Sequence, residues 1–176
     1  MNDRESAPGG LALVEALVNT LDVETGADTL DSAAGRARFG LADAGAEEID
    51  AARALREALR AACLAHAGHG TSGTLDALLA DAPLRVSVGP SGEASLRLPE
   101  PPTLRGRVAL AIAEGTAAGT WLRLKACEAE DCRWAYYDRS PAGRRRWCSM
   151  SVCGARTKMR TYRARARRDA ARGEAP

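Results

Sequence analysis

A chain of 176 residues is long enough for one ordinary domain plus a small appended module. At 45% hydrophobic it is excluded from the disordered class, and with 4% aromatic residues and much alanine it should be built of helices packed through small side chains. The net charge of +2 hides a division: residues 1–120 carry 10 Lys/Arg against 17 Asp/Glu, and residues 121–176 carry 15 against 6, which points to an anionic partner for the second part, most commonly nucleic acid.

The opening Met1-Asn2-Asp3-Arg4-Glu5 lacks the positive start and apolar core of a signal peptide. No segment approaches the roughly 20 apolar residues that span a bilayer. A cytoplasmic protein with no membrane partner is expected, in a compartment where thiols stay reduced. Residues 10–22 read as a short helix with Leu11, Val14, Leu17 and Val18 on one face. Asn19 and Thr20 follow it. They could line a ligand pocket or end the helix by bonding to local backbone, and the second role is favoured. A loop to about Asp31 comes next.

Ala46 to Ala67 gives the strongest helical signal, with Ile49, Ala52, Leu55, Leu59 and Cys63 as a stripe, acidic residues in the first turn and Gly68 as a stop. A shorter helix is expected over Thr74 to Ala80, ended by Pro83. Leu84, Val86 and Val88, then Ala94, Leu96 and Leu98, alternate with polar residues around Gly89-Pro90-Ser91-Gly92 and predict a β-hairpin. A helix over Thr103 to Ala118 turns Leu104, Val108, Ala111 and Ile112 inward. Gly119-Thr120 is the best boundary between domains. Beyond it, residues 121–125 and 133–137 alternate like two strands of a small hairpin, and Gly154 to Ala171 reads as a helix. The predicted class is mainly α (α+β): a helical domain over 1–119, a small hairpin-and-helix module over 120–171, and a disordered tail over 172–176.

The chemistry lies in Cys127, Cys132, Cys148 and Cys153, two C-x4-C pairs separated by fifteen residues. Paired thiols in a polar segment of a reduced protein suit one tetrahedral zinc ion, structural because four thiolates leave no position open for water or substrate. Residues 121–176 hold too few large apolar groups for a core of their own, so metal removal should unfold residues 121–170. In the last helix Ala155, Met159, Tyr162 and Ala166 should pack inward against Trp134 or Trp147. Trp121, Trp134 and Trp147 are better read as core than as base-stacking groups. Arg144, Arg145, Arg146, Arg156, Lys158, Arg160 and Arg163 are the expected nucleic-acid contacts, with Arg165, Arg167 and Arg168 extending the surface.

Around these residues the chain resembles the CGNR zinc finger of bacterial regulators. The resemblance rests on Arg123-Leu124-Lys125-Ala126-Cys127, Cys132-Arg133-Trp134, Tyr137-Asp138-Arg139-Ser140, Arg145-Arg146-Trp147-Cys148-Ser149-Met150 and Cys153-Gly154-Ala155-Arg156. Ala155 stands where the family motif has asparagine, which removes no metal ligand. The Leu17-Val18-Asn19-Thr20 stretch is similar to the opening of ABATE, the alanine-rich domain of stress-induced transcription regulators that usually precedes this finger. The resemblance implies a two-part regulator: an N-terminal domain that senses a small-molecule effector or forms a homodimer, and a DNA-binding finger.

Other candidates are weaker. Cys63, His66 and His69 lack a fourth ligand and read as incidental, with Cys63 a buried small hydrophobe. The glycine-rich run from Gly68 to Gly73 lacks the lysine of a P-loop. No nucleophile–base arrangement suggests an enzyme. A zinc-dependent DNA-binding transcription regulator is therefore expected. The alternatives are an RNA-binding protein, or a small-molecule-binding or enzymatic N-terminal domain with a purely structural zinc module.

Overall fold

The structure, a computed structural model, describes residues 5–173. Its centre is α3 (Ala46–His66), and against it lie α1 (Leu11–Val18), α4 (Leu75–Leu79) and α5 (Leu104–Ala117). Leu11, Leu17, Leu30 and Leu59 are fully buried in one cluster with Val14, Val18, Val108 and Cys63. The small side chains foreseen from composition set the spacing between α1 and α5. A Cβ placed on Gly10 would lie 2.9 Å from the Cβ of Ala111, so only glycine lets these helices approach so closely.

Between α1 and α3 the chain forms a 3-10 turn (Thr29–Asp31) and α2 (Ala33–Ala37), with Phe39 and Leu41 sealing the core beyond them. Ser32 caps α2, its hydroxyl accepting from the Gly35 N–H at 3.0 Å. On α3, Arg56 and Arg60 are buried beside the stripe that sequence periodicity assigns to apolar residues. Arg56 is held by Asp28 and by the Thr20 hydroxyl, and Arg60 donates to the Val18 carbonyl at 2.8 Å and the Arg133 carbonyl at 2.9 Å. Each guanidinium thus meets enough acceptors to tolerate burial.

Two antiparallel hairpins complete the fold. β1 (Arg85–Val88) and β2 (Ala94–Arg97) pair in the register Val86 to Leu96 and Val88 to Ala94, as the alternation predicts. This hairpin stands away from the core, leaving Val86 65% and Val88 66% exposed. β3 (Leu124–Ala126) and β4 (Ala135–Tyr137) pair Leu124 with Tyr137 and Ala126 with Ala135.

That second hairpin is set into the helical body. Leu124, Ala126 and Ala135 are fully buried in the same cluster as Leu17 and Leu59. Asn19, at the end of α1, donates from Nδ2 to the Ala135 carbonyl at 3.0 Å and accepts the Ala135 N–H on Oδ1 at 2.7 Å, so its amide acts as one more peptide pairing with β4. Thr20 is buried, donating to the Leu17 carbonyl and accepting from Arg56. Both side chains proposed for a ligand pocket are therefore engaged in joining elements. Gly119-Thr120 marks the end of α5, and the hydrophobic core runs on across it. Of the tail expected over 172–176, Arg172 and Gly173 lie in α6 (Ala155–Gly173), and the rest lies outside the described residues.

A Cβ on Gly35 would sit 1.8 Å from the Thr29 carbonyl oxygen, a backbone atom that cannot swing away. Gly35→Ala should destabilise the protein by about 1–3 kcal/mol through overpacking. Urea denaturation of the zinc-loaded protein would show this as a lower midpoint with an unchanged slope.

Candidate metal centre and basic helix

The β3–β4 turn carries the first cysteine pair. Cys127 follows β3 directly, and its N–H bonds to the Trp134 carbonyl at 2.9 Å, closing a turn in which Arg133 adopts φ of 53°. The second pair sits on a different device. Cys148 precedes Ser149, whose hydroxyl accepts from the Val152 N–H and caps a single π-turn (Met150–Gly154) that bears Cys153 and runs straight into α6. Helical structure therefore starts about one turn earlier than residue spacing predicts, and Cys153 lies within that first turn.

The four sulfurs converge within 4.8 Å of one another. Cys132 Sγ lies 3.7 Å from Cys148 Sγ, and Cys148 Sγ lies 3.7 Å from Cys153 Sγ. Two sulfurs each about 2.3 Å from a tetrahedral zinc ion are about 3.8 Å apart, whereas a disulfide requires about 2.05 Å. The donor set fits a zinc site of four thiolates. Cys127, Cys148 and Cys153 are buried and Cys132 is half-buried. Bonds to Cys127 and Cys148, with burial, push the Cys132 thiol well above the usual thiol range; burial first, then the neighbouring Cys148 and Cys127, push Cys153 up to about 12. A divalent ion reverses that balance by binding the deprotonated sulfurs. Cys127, Cys132, Cys148 and Cys153 thus form a site for one structural zinc, which fixes the two loops to each other and leaves no open coordination position.

Around the sulfurs lies a frame of buried charge. Lys125 Nζ lies 3.2 Å from Asp138 Oδ2, and both side chains are almost fully buried. Asp138 also accepts from the Ser140 hydroxyl at 2.6 Å and from the N–H groups of Ser140 and Arg145. Burial alone would raise its carboxyl, but the bonds from Ser140, Arg145 and Lys125 outweigh it and hold the group down at about 2. Since the folded value lies below the unfolded one, this stabilisation is fully present above about pH 4 and lost as pH falls through about 2. Arg145 donates to the Cys148 carbonyl at 2.9 Å and lies over the Tyr136 ring, whose hydroxyl in turn donates to the Arg145 carbonyl. Arg123 donates to the carbonyls of Asp138 and Ser140. In the sequence Lys125 and Asp138 stand out only as letters of the family resemblance; a long-range ion pair has no periodicity to betray it.

The expected cationic contacts divide into two groups. Arg145 is part of the frame. Arg146 pairs with Glu128, and Arg156 and Arg160 both pair with Asp131, with Arg156 also reaching Glu24 at 3.3 Å. By contrast, Arg144, Lys158, Arg163, Arg165, Arg167 and Arg168 are exposed and make no ion pair or hydrogen bond with any described residue. The inward-facing stripe foreseen on α6 is absent. Ala155 is exposed, Met159 is 50% and Tyr162 69% exposed, and the side chain of Ala166 lies outside the described residues. From Lys158 onward every described side chain of α6 faces solvent, because the helix projects from the finger with little protein beside it. Trp147 packs against the sulfur cluster and Trp121 against the main core, but Trp134, expected in the core, is 40% exposed.

The remaining candidates fall as simple burial predicts. Cys63 is fully buried and burial pushes its thiol up to about 12. His66 Nδ1 lies 2.7 Å from the Leu124 carbonyl and its ring meets Trp121 edge-on, while His69 lies 3.4 Å from Glu128. Among the described residues the four cysteines are the only cluster of three or more potential ligands. No described helix is long and apolar enough to cross a membrane.

Asp138→Asn leaves a buried ammonium without its counter-charge and should cost about 3–5 kcal/mol, while Lys125→Met/Asp138→Asn, which removes the ammonium but keeps an oxygen to accept from Ser140, should recover part of the loss, read by denaturation of both zinc-loaded variants. Chelation of zinc should abolish amide protection at 127–133 and 147–173 while sparing 124–126 and 135–137, which the main core holds. Loss of the hairpin together with α6 in hydrogen exchange would show an independent module instead.

Comparison with known proteins agrees with this geometry. Curated protein sequences give no match to the chain. Residues 123–166 match the CGNR zinc finger family, a span that contains all four cysteines, the Lys125–Asp138 pair and the exposed part of α6 as far as Ala166. This segment of the chain is a CGNR zinc finger.

Proposed function

We propose that the chain is a zinc-dependent DNA-binding transcription regulator in which α6 enters the major groove. The observation that carries this reading is the exposed, unpartnered α6. Its body of about 10–12 Å across matches a groove about 12 Å wide, and Lys158, Arg163, Arg165, Arg167 and Arg168 project from it unpaired. Arg144 lies in the loop between the cysteine pairs and adds a further unpaired cation. Zinc fixes the root of the helix, so its direction is set before any partner is met. Arg145, Arg156 and Arg160 hold the finger together and orient α6, and the contacts come from the unpaired group. The N-terminal body, similar at Leu17-Val18-Asn19-Thr20 to ABATE, is assigned the sensing or dimerising part.

Binding of duplex DNA by the zinc-loaded protein should weaken steeply with salt, each phosphate contact adding about 0.9 to the slope of log K against log salt. Arg163→Ala/Arg165→Ala should lower that slope by about 2 with zinc content intact. A flat dependence would end the reading, and preferential binding of structured RNA under competition would redirect it.

A further inference from the structure

The unpaired cations of α6 have a complementary surface elsewhere on the same fold. A cleft of about 620 Å³ opens onto the sulfur cluster, with Cys132, Cys148 and Cys153 in its lining, where the loop after α1 faces the two cysteine turns. Asp22, Glu24 and Asp131 stand on its rim, and the exposed flanks of Trp134 and Val152 line its wall. Arg156, at the root of α6, is the one basic residue in its lining and bridges Glu24 and Asp131, while Arg160 meets Asp131 from outside the lining; Glu15 and Asp22 are the lining carboxylates that make no ion pair with a described residue. The concavity, the apolar wall and the excess of carboxylates over guanidinium together suit a cationic side-chain array carried on a long apolar stem.

We propose that this cleft receives α6 of a second copy of the chain. Geometry excludes the helix of the same copy. At 1.5 Å per residue, Arg163 and Arg168 lie about 10 Å and 18 Å farther along the axis than Arg156, so a straight helix carries them away from their own cleft. Charge complementarity favours the partner: residues 1–120 are net acidic, and the described part of α6 beyond Arg160 is cationic. Each copy has one helix to give and one cleft to fill, so a reciprocal pair closes with two-fold symmetry and leaves neither unfilled. The Tyr162 ring, 69% exposed, supplies an apolar face to meet Trp134 and Val152. The pairing does not depend on nucleic-acid binding. Its consequence does: if α6 also holds DNA, the two partners compete for Arg163 and Arg165, and self-association masks the nucleic-acid surface.

Light scattering with sedimentation on the zinc-loaded full chain tests this without any variant. Dimers are expected at low ionic strength, ~0.05 M, and monomers at ~1 M, where the screening length falls to about 3 Å. Two variants sharpen the test. Asp22→Asn/Glu24→Lys keeps an acceptor for the Glu24 and Thr25 N–H groups while making the cleft basic; Arg163→Glu/Arg165→Glu makes an exposed stretch of helix acidic without removing any described contact. Each should be monomeric alone at low salt, with zinc content and circular dichroism unchanged, and an equimolar mixture should dimerise because both reciprocal contacts are then restored. Monomeric wild-type protein at low salt overturns the proposal. So does a mixture that stays monomeric, and so does a dimer indifferent to salt and to both variants, which is the behaviour expected of pairing through the bare apolar face of β1–β2.

Discussion

Four cysteine sulfurs can converge here only because the first pair rides on a hairpin already buried in the helical body. Leu124, Ala126 and Ala135 belong to the main core, and Asn19 and Arg60 bond the hairpin backbone from outside. That leaves the second cysteine turn and α6 as the parts that zinc must recruit. The ion therefore joins a prefolded half-site to a segment with almost no core of its own. The buried Lys125–Asp138 pair extends the joint, because Asp138 also gathers the backbone of Ser140 and Arg145 in the loop leading to Cys148. The carboxylate is more than half of an ion pair: an apolar side chain in its place would orphan the Ser140 and Arg145 donors, so Asp138 defines one arrangement of the loop.

This organisation explains why a chain so rich in arginine does not present all of it to a partner. Guanidinium groups near the metal act as crosslinks: Arg123 and Arg145 onto carbonyls, Arg133 onto the Glu128 carbonyl, Arg156 and Arg160 onto Asp131. Among the described residues of the finger, the unpaired cations are Arg144 in the loop between the cysteine pairs and those that α6 carries as it leaves the finger. The fold thus separates charges that shape the platform from charges that the platform displays. The acidic body and the root of the displayed helix meet through Glu24 and Arg156.

Much of this was legible in the sequence, for identifiable reasons. The cysteine spacing, α3, α5 and both hairpins are local patterns, and local patterns survive in one dimension. What escaped is long-range or short-lived. α2 has five residues and no apolar period to mark it. Arg56 and Arg60 are buried beside the apolar stripe of α3, and no local pattern marks them, because their acceptors come from Thr20, Asp28, Val18 and Arg133, far away in the chain. Asn19 is expected from sequence to end its helix by local backbone bonds, with a ligand role as the alternative, because nothing local reveals that β4 passes within bonding distance. The stripe of Met159 and Tyr162 has helical spacing, but spacing shows only which residues share a face: Met159 stays 50% exposed, and Tyr162, 69% exposed, borders an open groove beside Trp147 without being buried in it. The π-turn that places Cys153 likewise follows from the need to bring a sulfur to the metal, a demand invisible to propensity.

The central claim is a single ion bound by four sulfurs at the root of a cationic helix. X-ray absorption at the zinc edge of the purified chain measures it directly. One zinc per chain with a shell of four sulfurs at about 2.3 Å is the result this account predicts. Absence of stoichiometric metal, or a shell in which nitrogen or oxygen replaces sulfur, would contradict it.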